Sequence, residues 1–433
     1  MNAREAIAYI ENFTWSTTRL GLDRTRELLR GIGDPQKKLR FIHVAGSNGK
    51  GSTCAMLASV FEAAGYRVGL YISPYIQDFC ERIQINGENI PGERLAAVTE
   101  MVAEAADRME DHPSQFELIT AVGMQYFLEE NVDLVILEVG MGGALDSTNA
   151  IDAPECAVIT NIGLEHTEYL GKTLREIAAT KSGIIKTGCD CVVYDGEPEV
   201  TAVVENTCDA LGVRLHRADF SRLEPLREDL SGQSFAYRGR EYSLALLGRY
   251  QTRNAAVVLE TVEAMRSRGW AISEDAVQTG LRSVRWPARM EVLSRKPLFI
   301  LDGGHNPQCA QALAESIRAL LPGKKVIFLV GILADKDYRR IIETVLPLGE
   351  KFFCLTPVSP RALPGSELAE VFRSRGADAA VPVSIPRGIL ASLEEAGEDG
   401  CVVAFGSLYL AGAVRSAFYP VLRSFLGEDR DRA

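Results

Sequence analysis

The stretch that follows the apolar run Phe41–Ala45 has the composition of a phosphate-binding loop. Its residues are Gly46, Ser47, Asn48, Gly49, Lys50, Gly51, Ser52 and Thr53. Small residues let successive backbone N–H groups face one anion, a helix that starts at the loop adds partial positive charge, and a lysine and hydroxyls suit a phosphate and its Mg²⁺. The sequence therefore predicts that a nucleoside triphosphate binds here.

The spacing within this loop departs from the common P-loop pattern. Only two residues separate Gly46 from Gly49, and Gly51 lies between Lys50 and the next hydroxyl. The alternative is a plain glycine turn between a strand and a helix, but such turns seldom combine a lysine with two hydroxyls. We expect a helix from Cys54 to Ala64 to follow the loop.

Candidate metal ligands follow two apolar runs further along the chain, with Glu138 near the end of Asp133–Gly140 and His166 after Cys156–Thr160. A carboxylate in a buried strand needs a cation or strong hydrogen bonds, because leaving it unpaired is costly. The carboxyl ends of parallel strands share one sheet edge with the phosphate loop, so we expect one or two Mg²⁺ ions there. The expected ligands are Ser52, Ser73, Glu138 and His166. A single histidine such as His166 is more often a hydrogen-bonded structural residue than a ligand. The other expected ligands at the same sheet edge favour a metal-binding role for it.

Short β-branched runs alternate with helical patterns, which is typical of a parallel sheet with helices on both faces. The first series of predicted strands is Arg40–Ala45, Val68–Ile72, Leu134–Val139, Cys156–Thr160 and Cys191–Tyr194. The pattern then changes to a hairpin and two helices, Ser234–Arg238 with Glu241–Leu247, then Thr252–Met265 and Glu274–Val284. The second series of predicted strands is Leu298–Leu301, Val326–Val330, Phe352–Leu355 and Val402–Phe405.

The irregular segment Trp286–Arg289 separates the two series and is the predicted domain boundary. A chain of 433 residues exceeds what one core usually supports. We therefore predict an α/β protein, with a P-loop-type, mostly parallel sheet domain over residues 1–285 and a smaller Rossmann-like α/β domain over residues 286–433. The charged tail Gly427–Ala433 is expected to fray.

The charge, the apolar runs and the cysteines of the chain limit which ligands it could bind and in which cellular compartment it would lie. The net charge is −11 without a basic run, which argues against a nucleic acid as the main ligand. No apolar run approaches the ~18–20 residues of a membrane span, and the N-terminus lacks a signal-peptide pattern, so we expect a cytoplasmic protein that does not bind membranes. The nine cysteines are odd in number and scattered, which favours reduced structural thiols over disulfides or a zinc site.

Seven ordered motifs carry a resemblance to a known family. They are His43–Ser52, Ser73–Ile83, Leu137–Asn149, Lys181–Lys186, Pro287–Glu291, Leu301–Pro307 and Gly406–Tyr409. On these motifs the chain resembles, over nearly its whole length, the folylpolyglutamate synthase family of the Mur ligase superfamily, and closely its bifunctional bacterial members. The departures are mild, with Ser47 where the family usually has Thr, Ala288 where Gly is common, and Gly304 in a place often taken by Ala.

The resemblance implies an ATP-dependent amide ligase that acts as a monomer. In the family a substrate carboxylate attacks the γ-phosphate of ATP, and the amine of L-glutamate then displaces phosphate from the acyl phosphate. The implied acceptors of glutamate are dihydropteroate and reduced folates. Lys50 and Mg²⁺ would neutralise the charge on the phosphoryl group, and positioning plus electrostatics would supply most of the catalysis.

The resemblance also implies roles for the metal ligands and for one lysine. Ser52 and Glu138 would hold one Mg²⁺ between the β- and γ-phosphates, while Glu138, His166 and Ser73 would hold a second near the incoming carboxylate. Lys181 would be carbamylated, which turns a cation into an anion that can orient the surroundings of the second metal. The alternative is an unmodified surface lysine, because a sequence does not show a reversible modification.

In the second domain, the strand before Asp302 feeds a loop and then a helix, which again places side chains at a carboxyl edge. By resemblance, Asp302, Arg289 and Asn254 belong to the ATP site, with Asn254 near the base. His305 would contact the γ-phosphate or the glutamate where the domains face each other, and Ser407 would bind glutamate. The alternatives are a turn or cap role for Asp302 and an N-cap role for Ser407. We expect closure over the substrate, with Trp286–Arg289 as the hinge.

The predicted pterin site is the least specific part of the resemblance. Phe116 would stack on the pteridine ring and Asp146 would accept its N–H groups, although Phe116 fits a core position equally well. Arg82 would pair with a substrate carboxylate, or else form a surface ion pair with Glu81 or Glu88.

Two other functions remain open from the sequence. A peptidoglycan-precursor or cyanophycin-type ligase would share the phosphate loop, but we expect it to lack the loop from Ser73 to Ile83 and the Gly49–Ser52 variant. A nucleotide-binding regulator or motor of the P-loop kind would hydrolyse the nucleotide without ligation. Dependence of ADP release on glutamate separates that class from a ligase.

Overall fold

A computed structural model describes residues 1–12, 21–324 and 326–426, and the tail that was predicted to fray, residues 427–433, lies outside them. The chain divides into two compact units. The first comprises Met1–Glu224, Phe235–Leu244 and Thr252–Val284, and the second comprises Pro225–Ser234, Ala245–Gln251 and Arg285–Ala433. The predicted domains were continuous, whereas two short segments before residue 285 belong to the second unit.

An eight-stranded sheet forms the centre of the first unit. Its strands are β1 Phe41–Ala45, β2 Val68–Tyr71, β3 Ile83–Ile85, β4 Glu88–Asn89, β5 Leu134–Glu138, β6 Cys156–Ile159, β7 Asp190–Tyr194 and β8 Arg214–Ala218. Their order in the sheet is β4-β3-β2-β5-β1-β6-β7-β8. All neighbours from β2 to β8 are parallel, and only β3 and β4 run antiparallel to their neighbours. The five strands that the sequence predicts for this region are confirmed, with ends that differ by at most one residue.

Helices cover this sheet, because the strands beneath them are apolar on both sides; β1, β5 and β7 are buried along their whole length. The helices are α1 Ala3–Glu11, α2 Asp23–Gly31, α3 Lys50–Ala63, α4 Gly92–Ala106, α5 Gln115–Glu129, α6 Thr167–Leu170, α7 Leu174–Ser182, α8 Pro198–Leu211, α9 Arg249–Ser267 and α10 Glu274–Ser283. The helix after the phosphate loop therefore starts at Lys50, four residues before the predicted start.

The predicted hairpin is confirmed as part of a three-stranded sheet. Its strands are β9 Leu223–Asp229, β10 Gly232–Tyr237 and β11 Arg240–Leu244, in the order β11-β10-β9. Arg238 and Gly239 join β10 to β11 with φ values of +50° and +79°, which is the two-residue turn that suits the twist of paired strands.

The second unit contains a six-stranded sheet. Its strands are β12 Glu291–Arg295, β13 Leu298–Leu301, β14 Val326–Val330, β15 Gly349–Cys354, β16 Ala379–Ala380 and β17 Cys401–Phe405, in the order β12-β13-β17-β14-β15-β16. Only β12 is antiparallel to its neighbour. The helices are α11 Pro307–Leu320, α12 Tyr338–Val345, α13 Gly365–Arg373, α14 Ile385–Ala396 and α15 Leu408–Leu426. The predicted α/β class holds for both units.

Two further observations concern the cysteines and the helices. All nine cysteines are free, and seven of them are buried as small apolar side chains would be, while Cys80 and Cys309 are partly exposed. Among the described residues, no helix is both long enough and apolar enough to span a bilayer.

Candidate active site

The phosphate loop joins the end of β1 to the first turn of α3. Two of its glycines approach other parts of the first unit so closely that a side chain would not fit. A Cβ at Gly46 would overlap Thr160 Oγ1, and a Cβ at Gly49 would lie 2.6 Å from Asn254 Oδ1. Gly49 also has a φ of +87°, which glycine adopts without strain. Asn254 therefore lies at the phosphate loop itself; its predicted place near the base stays a prediction.

The segment after β6 forms a wall along the loop. The Asn161 carbonyl accepts from the backbone N–H groups of Ser47 at 2.8 Å and Asn48 at 3.1 Å. The Ser47 hydroxyl donates to the Gly163 carbonyl at 2.9 Å. The hydroxyl that family members usually carry on Thr is thus supplied here by Ser47, and its acceptor is a backbone carbonyl of this wall.

Two lysines share the first carbonyl of the phosphate loop. Lys50 Nζ donates to the Gly46 oxygen at 3.0 Å, and Lys181 Nζ donates to the same oxygen at 2.8 Å. Lys181 lies in the last turn of α7 and is 3% exposed. Burial and the neighbouring charge of Lys50 lower the pKa of Lys181 to about 7. The alternative of a surface lysine is therefore wrong, while the carbamylation stays a prediction.

A loop after β5 packs directly on the carboxyl end of α7, which fixes the position of Lys181. A Cβ at Gly143 would lie 2.7 Å from the Lys181 carbonyl oxygen, and a Cβ at Gly183 would lie 2.6 Å from Ala144 Cα. The Ala144 N–H donates to the Thr180 carbonyl at 2.9 Å. Backbone meets backbone at this point, so glycine is required at both positions.

Glu138 lies at the carboxyl end of β5, directly beside β1, where Val44 is its partner in register. Its carboxylate is 5% exposed, and Oε2 accepts from the Ser73 N–H at 3.2 Å. Ser73 follows β2, which is the next strand on the other side of β5. Three consecutive strands thus bring the phosphate loop, Glu138 and Ser73 to one edge of the sheet, as the sequence predicts.

The donor set at this edge fits Mg²⁺. Ser52 lies in the first turn of α3 and is 2% exposed. Its hydroxyl and the Glu138 carboxylate would supply hard oxygen ligands. Among residues 1–12, 21–324 and 326–426, no three His, Cys, Asp or Glu side chains lie close enough together to hold a metal. Mg²⁺ does not need such a cluster, because it is usually held by one or two carboxylates together with substrate phosphates and waters.

His166 is placed differently from the other predicted metal ligands. Its side chain is 40% exposed, its φ is +51°, and its Nε2 lies 3.9 Å from Glu165 Oε1. The structure places His166 before α6, after the strand next to β1. Its role as a ligand of the second metal stays a prediction.

The remaining loop residues surround the start of α3. Asn48 and Gly51 are half-buried, and Thr53 is fully buried. Thr53 Oγ1 has no hydrogen-bond partner among the described residues. These residues form the helix N-terminus that the sequence predicts, and its binding of an anion stays a prediction.

Asp146 organises its own loop. It is 5% exposed, and its carboxylate accepts from the Met141 N–H at 2.8 Å, the Thr148 N–H at 3.0 Å and the Thr148 hydroxyl at 2.5 Å. The Thr148 hydroxyl also lies 2.9 Å from Nε2 of His43, a fully buried histidine of β1 whose pKa burial lowers to about 3. The predicted hydrogen bonds from Asp146 to a pterin would come in addition to these contacts.

Arg82 is a buried cation without an anionic partner. It is 7% exposed, it makes no ion pair with any described residue, and its Nε has no hydrogen-bond acceptor. Its guanidinium lies over the rings of Tyr75 at 5.1 Å and Phe79 at 5.5 Å. Glu81 is occupied elsewhere, since its carboxylate accepts from three successive backbone N–H groups of the same loop. The alternative of a surface ion pair with Glu81 or Glu88 is therefore wrong.

Phe116 lies in the first turn of α5 and packs as the alternative core role requires. Its ring would be 2.5 Å from a Cβ at Gly140, and it meets the Tyr71 ring edge-on at 6.2 Å. The side chain is half-buried and packs against the main apolar cluster of this unit. Its ring lies against Gly140 in the loop after β5, and its stacking on a pterin stays a prediction.

Asp302 of the second unit is a turn residue, as the alternative interpretation held. It is 4% exposed and accepts from the Gly304 N–H at 2.7 Å and from the Met290 N–H at 2.9 Å. Arg289 lies in the segment before β12, and its guanidinium donates to the Ala288 carbonyl at 2.9 Å. The second unit thus brings Arg289 and Asp302 together, and their contact with ATP stays a prediction.

Two further predicted residues follow β13 and β17. The His305 ring lies with Nδ1 3.1 Å from the Gly303 carbonyl, just before α11. The Ser407 hydroxyl accepts from the Leu410 N–H at 3.0 Å, and Ser407 is 1% exposed. The N-cap role of Ser407 is confirmed, and its contact with glutamate stays a prediction.

Sequence reasoning missed several residues that shape the site, namely His43, Glu81, Thr148 and Thr160. Each lies inside a motif or at a strand end that was used for other reasons. Glu81 has a local signal, because an Asp three residues before a Glu at a helix start predicts reciprocal capping, which the structure shows for Asp78 and Glu81.

Comparison with known proteins gives matches over both units. Residues 44–262 match the family described as the Mur ligase middle domain, and residues 288–408 match the Mur ligase, glutamate ligase domain. A folylpolyglutamate synthase of Lacticaseibacillus casei is 36% identical over 96% of this chain and 98% of its own length. A dihydrofolate synthase/folylpolyglutamate synthase of Bacillus subtilis is 33% identical over 94% of this chain and 98% of its own length.

Solved structures are similar over the same extent. The E. coli protein FolC in complex with DHPP and ADP superposes with a TM-score of 0.85 at 29% identity, covering 96% of this chain and 97% of that one. A Mycobacterium tuberculosis folylpolyglutamate synthase complexed with ADP and AMPPCP gives a TM-score of 0.87 at 30% identity, covering 96% and 99%.

Proposed function

The chain belongs to the folylpolyglutamate synthase family of the Mur ligases, and we propose that it joins L-glutamate to dihydropteroate and to reduced folates through an acyl phosphate made from ATP. The observation that carries the proposal is the convergence at one sheet edge of the phosphate loop, Glu138 and the loop of Arg82. The phosphate loop follows β1, the loop with the buried, unpaired cation follows β2, and only β5 lies between these two strands. This arrangement suits a reaction in which a carboxylate meets a phosphate.

Binding of ATP falls to the phosphate loop and the start of α3. Backbone N–H groups and the helix N-terminus face the phosphates, and Lys50 lies at the loop, from which its ammonium can move to the transferring group. Mg²⁺, held through Ser52 and Glu138 and for a second ion through Ser73 and His166, would neutralise charge on the phosphates and the carboxylate. Asn254, Arg289 and Asp302 complete the proposed ATP site.

Two anions must approach each other in the first step, so the acceptor carboxylate needs its own positive neighbour. Arg82 meets this need, because its guanidinium is buried and has no carboxylate in the described structure to neutralise it. Phe116 and Asp146 would hold the pterin, the ring by stacking and the N–H groups by a carboxylate. Binding of the anion therefore relieves an unfavourable charge in the protein.

Lys181 lies close enough to the loop to affect the same step. Its lowered pKa leaves a large share of neutral amine at neutral pH, which is the form that reacts with CO₂ to give a carbamate. The carbamate would replace one of two neighbouring cations by an anion and so favour metal binding near the carboxylate. His305 and Ser407 are proposed for the phosphoryl group and glutamate.

The test is a reconstituted reaction of the purified protein with ATP, Mg²⁺ and L-glutamate, with either dihydropteroate or tetrahydrofolate as acceptor. We expect a product that is heavier by one glutamyl residue with each acceptor, and ADP release that requires both acceptor and glutamate. ADP release that is independent of glutamate would favour a nucleotide-driven regulator. Ligation to a peptidoglycan precursor or to a cyanophycin-type peptide, without any pterin product, would place the chain in another branch of the superfamily.

A further inference from the structure

We propose that Thr160 is a positioning residue of the ATP site, whose hydroxyl holds the phosphate loop so that the Gly49 N–H turns toward the nucleotide. The inference rests on the proposed function. Thr160 follows β6, is 1% exposed, and lies beside β1 and the loop. Its hydroxyl donates to the Asn48 carbonyl at 2.9 Å, with the Ala45 carbonyl at 3.3 Å as a second, longer contact.

The contact with Asn48 determines which way one peptide group faces. In a trans peptide the C=O of one residue and the N–H of the next point in opposite directions. Because the Asn48 oxygen is held toward Thr160, the N–H of Gly49 points away from the wall and toward the side on which the nucleotide binds. An unheld Asn48 carbonyl could instead turn its negative end toward the phosphates, which would oppose binding.

Neighbouring contacts divide the donors of the loop into two sets. The N–H groups of Ser47 and Asn48 are already used by the Asn161 carbonyl. The donors left for phosphate begin at Gly49 and continue into the first turn of α3. Thr160 therefore acts at the boundary between the part of the loop that is bound to the protein and the part that is open to the ligand.

The same hydroxyl explains the first glycine of the motif. A Cβ at Gly46 would overlap Thr160 Oγ1, so the volume that a side chain would need is occupied by the hydroxyl. Glycine at this position is thus required by Thr160. Gly46 of the motif and Thr160 therefore pack against each other, although 114 positions separate them in the sequence.

Loss of a purely structural hydroxyl would lower stability without changing nucleotide binding. The experiment therefore needs a matched control. Thr261 is such a residue, because it is fully buried in α9 and its hydroxyl donates to the Val257 carbonyl at 2.8 Å. Thr160→Val and Thr261→Val both replace a buried hydroxyl by a methyl group. Their effects on thermal unfolding should be similar, whereas their effects on nucleotide should differ.

The experiment measures ADP binding by titration calorimetry in the presence of Mg²⁺, without glutamate or pterin. The KM values of the full reaction are measured separately. We expect Thr160→Val to weaken ADP binding and raise the KM for ATP by about tenfold or more, the scale for leaving a buried acceptor without its donor. The KM values for glutamate and the pterin should stay within about twofold, as should all values of Thr261→Val. Because ADP binding needs neither glutamate nor pterin, it decides the role of Thr160 even if ligation is not observed.

A second pair of variants keeps the test decisive if the valine variant does not fold. Thr160→Ser retains the hydroxyl and should bind ADP within about threefold of the wild type, while Thr160→Ala, which differs from it only by that hydroxyl, should not. Equal ADP affinity in the serine and alanine variants, or an unchanged affinity in Thr160→Val, would overturn the proposal.

Discussion

At the scale of single residues, the charges of this site are balanced in an unusual way. Lys50 and Lys181 direct two ammonium groups at one carbonyl, that of Gly46, and Arg82 is buried against aromatic rings. Burying a cation without a carboxylate partner lowers stability. Under the proposed function, the binding of anionic substrates would recover the stability that the fold loses here.

Lys181 allows a prediction about carbon dioxide. Lys181→Ala should abolish most ligase activity, and acetate should partly restore it by replacing the carbamate. Wild-type activity should rise when dissolved CO₂ is added. At the same CO₂ concentration the rise should be larger at pH 8 than at pH 6, because the neutral amine of Lys181 predominates only above its pKa of about 7. Initial rates measure both effects. Unchanged rates with CO₂, together with no recovery by acetate, would rule out the modification.

Glu138 allows a prediction about the metal. Glu138→Gln is nearly isosteric and should fold normally, but it removes the negative charge that holds Mg²⁺. Ligation should fall by at least ~100-fold, the scale for a central electrostatic group. Steady-state rates over a range of Mg²⁺ concentrations measure the loss. Near-normal turnover of the Glu138→Gln variant would show that Glu138 does not hold the catalytic Mg²⁺.

Arg82 allows a prediction in which stability and function change in opposite directions. Arg82→Met removes an unpaired buried charge, so the melting temperature should stay the same or rise. The KM for dihydropteroate or tetrahydrofolate should rise by about tenfold or more, because a charge-assisted pair is lost, while the KM for ATP should not change. A lower melting temperature with an unchanged pterin KM would make Arg82 a structural residue.

At the scale of elements, loops join the strands and helices that carry the site, and contacts to backbone groups hold these loops in place. The loop from Ser73 to Arg82 closes around the Glu81 carboxylate, which accepts from Ile76, Gln77 and Asp78 at 2.7 to 3.1 Å. The loop after β5 lies on α7 through two glycines. Rigid loops of this kind hold catalytic groups in place before the substrate arrives.

The turn at Ala288 gives a prediction at this scale. Ala288 has a φ of +52°, which costs a residue with a Cβ about 1 kcal/mol relative to glycine. Ala288→Gly should therefore raise the free energy of unfolding by about that amount, as measured by urea denaturation. Ala312→Gly, in the interior of α11, is the control and should lower stability by a similar amount. A lower free energy of unfolding in Ala288→Gly would contradict the inference that the backbone of Ala288 is strained.

At the scale of the whole molecule, the two units carry different groups. The phosphate loop, Glu138 and Lys181 belong to the first unit, and Arg289, Asp302 and His305 belong to the second. Each unit has its own parallel sheet and core. The two family matches fall on residues 44–262 and 288–408, on either side of residue 285, where the chain enters the second unit for the last time.

His305 tests whether the second unit takes part in the chemistry. If it binds the transferring phosphoryl group, His305→Ala should lower kcat more than it changes the affinity for ATP, and the loss should persist at saturating glutamate. If it positions the amine, the KM for glutamate should rise, and high glutamate should recover much of the rate. Unchanged kcat and KM values would make His305 a structural loop residue.

Much of the fold was predictable from local sequence. Strand periodicity placed β1, β5 and β13 within one residue of their ends, and the phosphate loop was identified from eight consecutive residues. Short edge strands such as β4 and β16, with two residues each, were missed because so few residues carry no periodicity. The two segments of the second unit before residue 285 were missed for a similar reason, since nothing local marks where a segment packs.

The sequence by itself determined the types of group at the site, because a glycine-rich loop after a strand and a carboxylate at a strand end have the same local meaning in any parallel sheet. Only the tertiary structure decided their partners. Lys181 donates to Gly46 across 135 positions, and Thr160 donates to Asn48 across 112. Contacts over such separations depend on the order of strands in the sheet and on the packing of helices against it, and neither is encoded in any short stretch of residues.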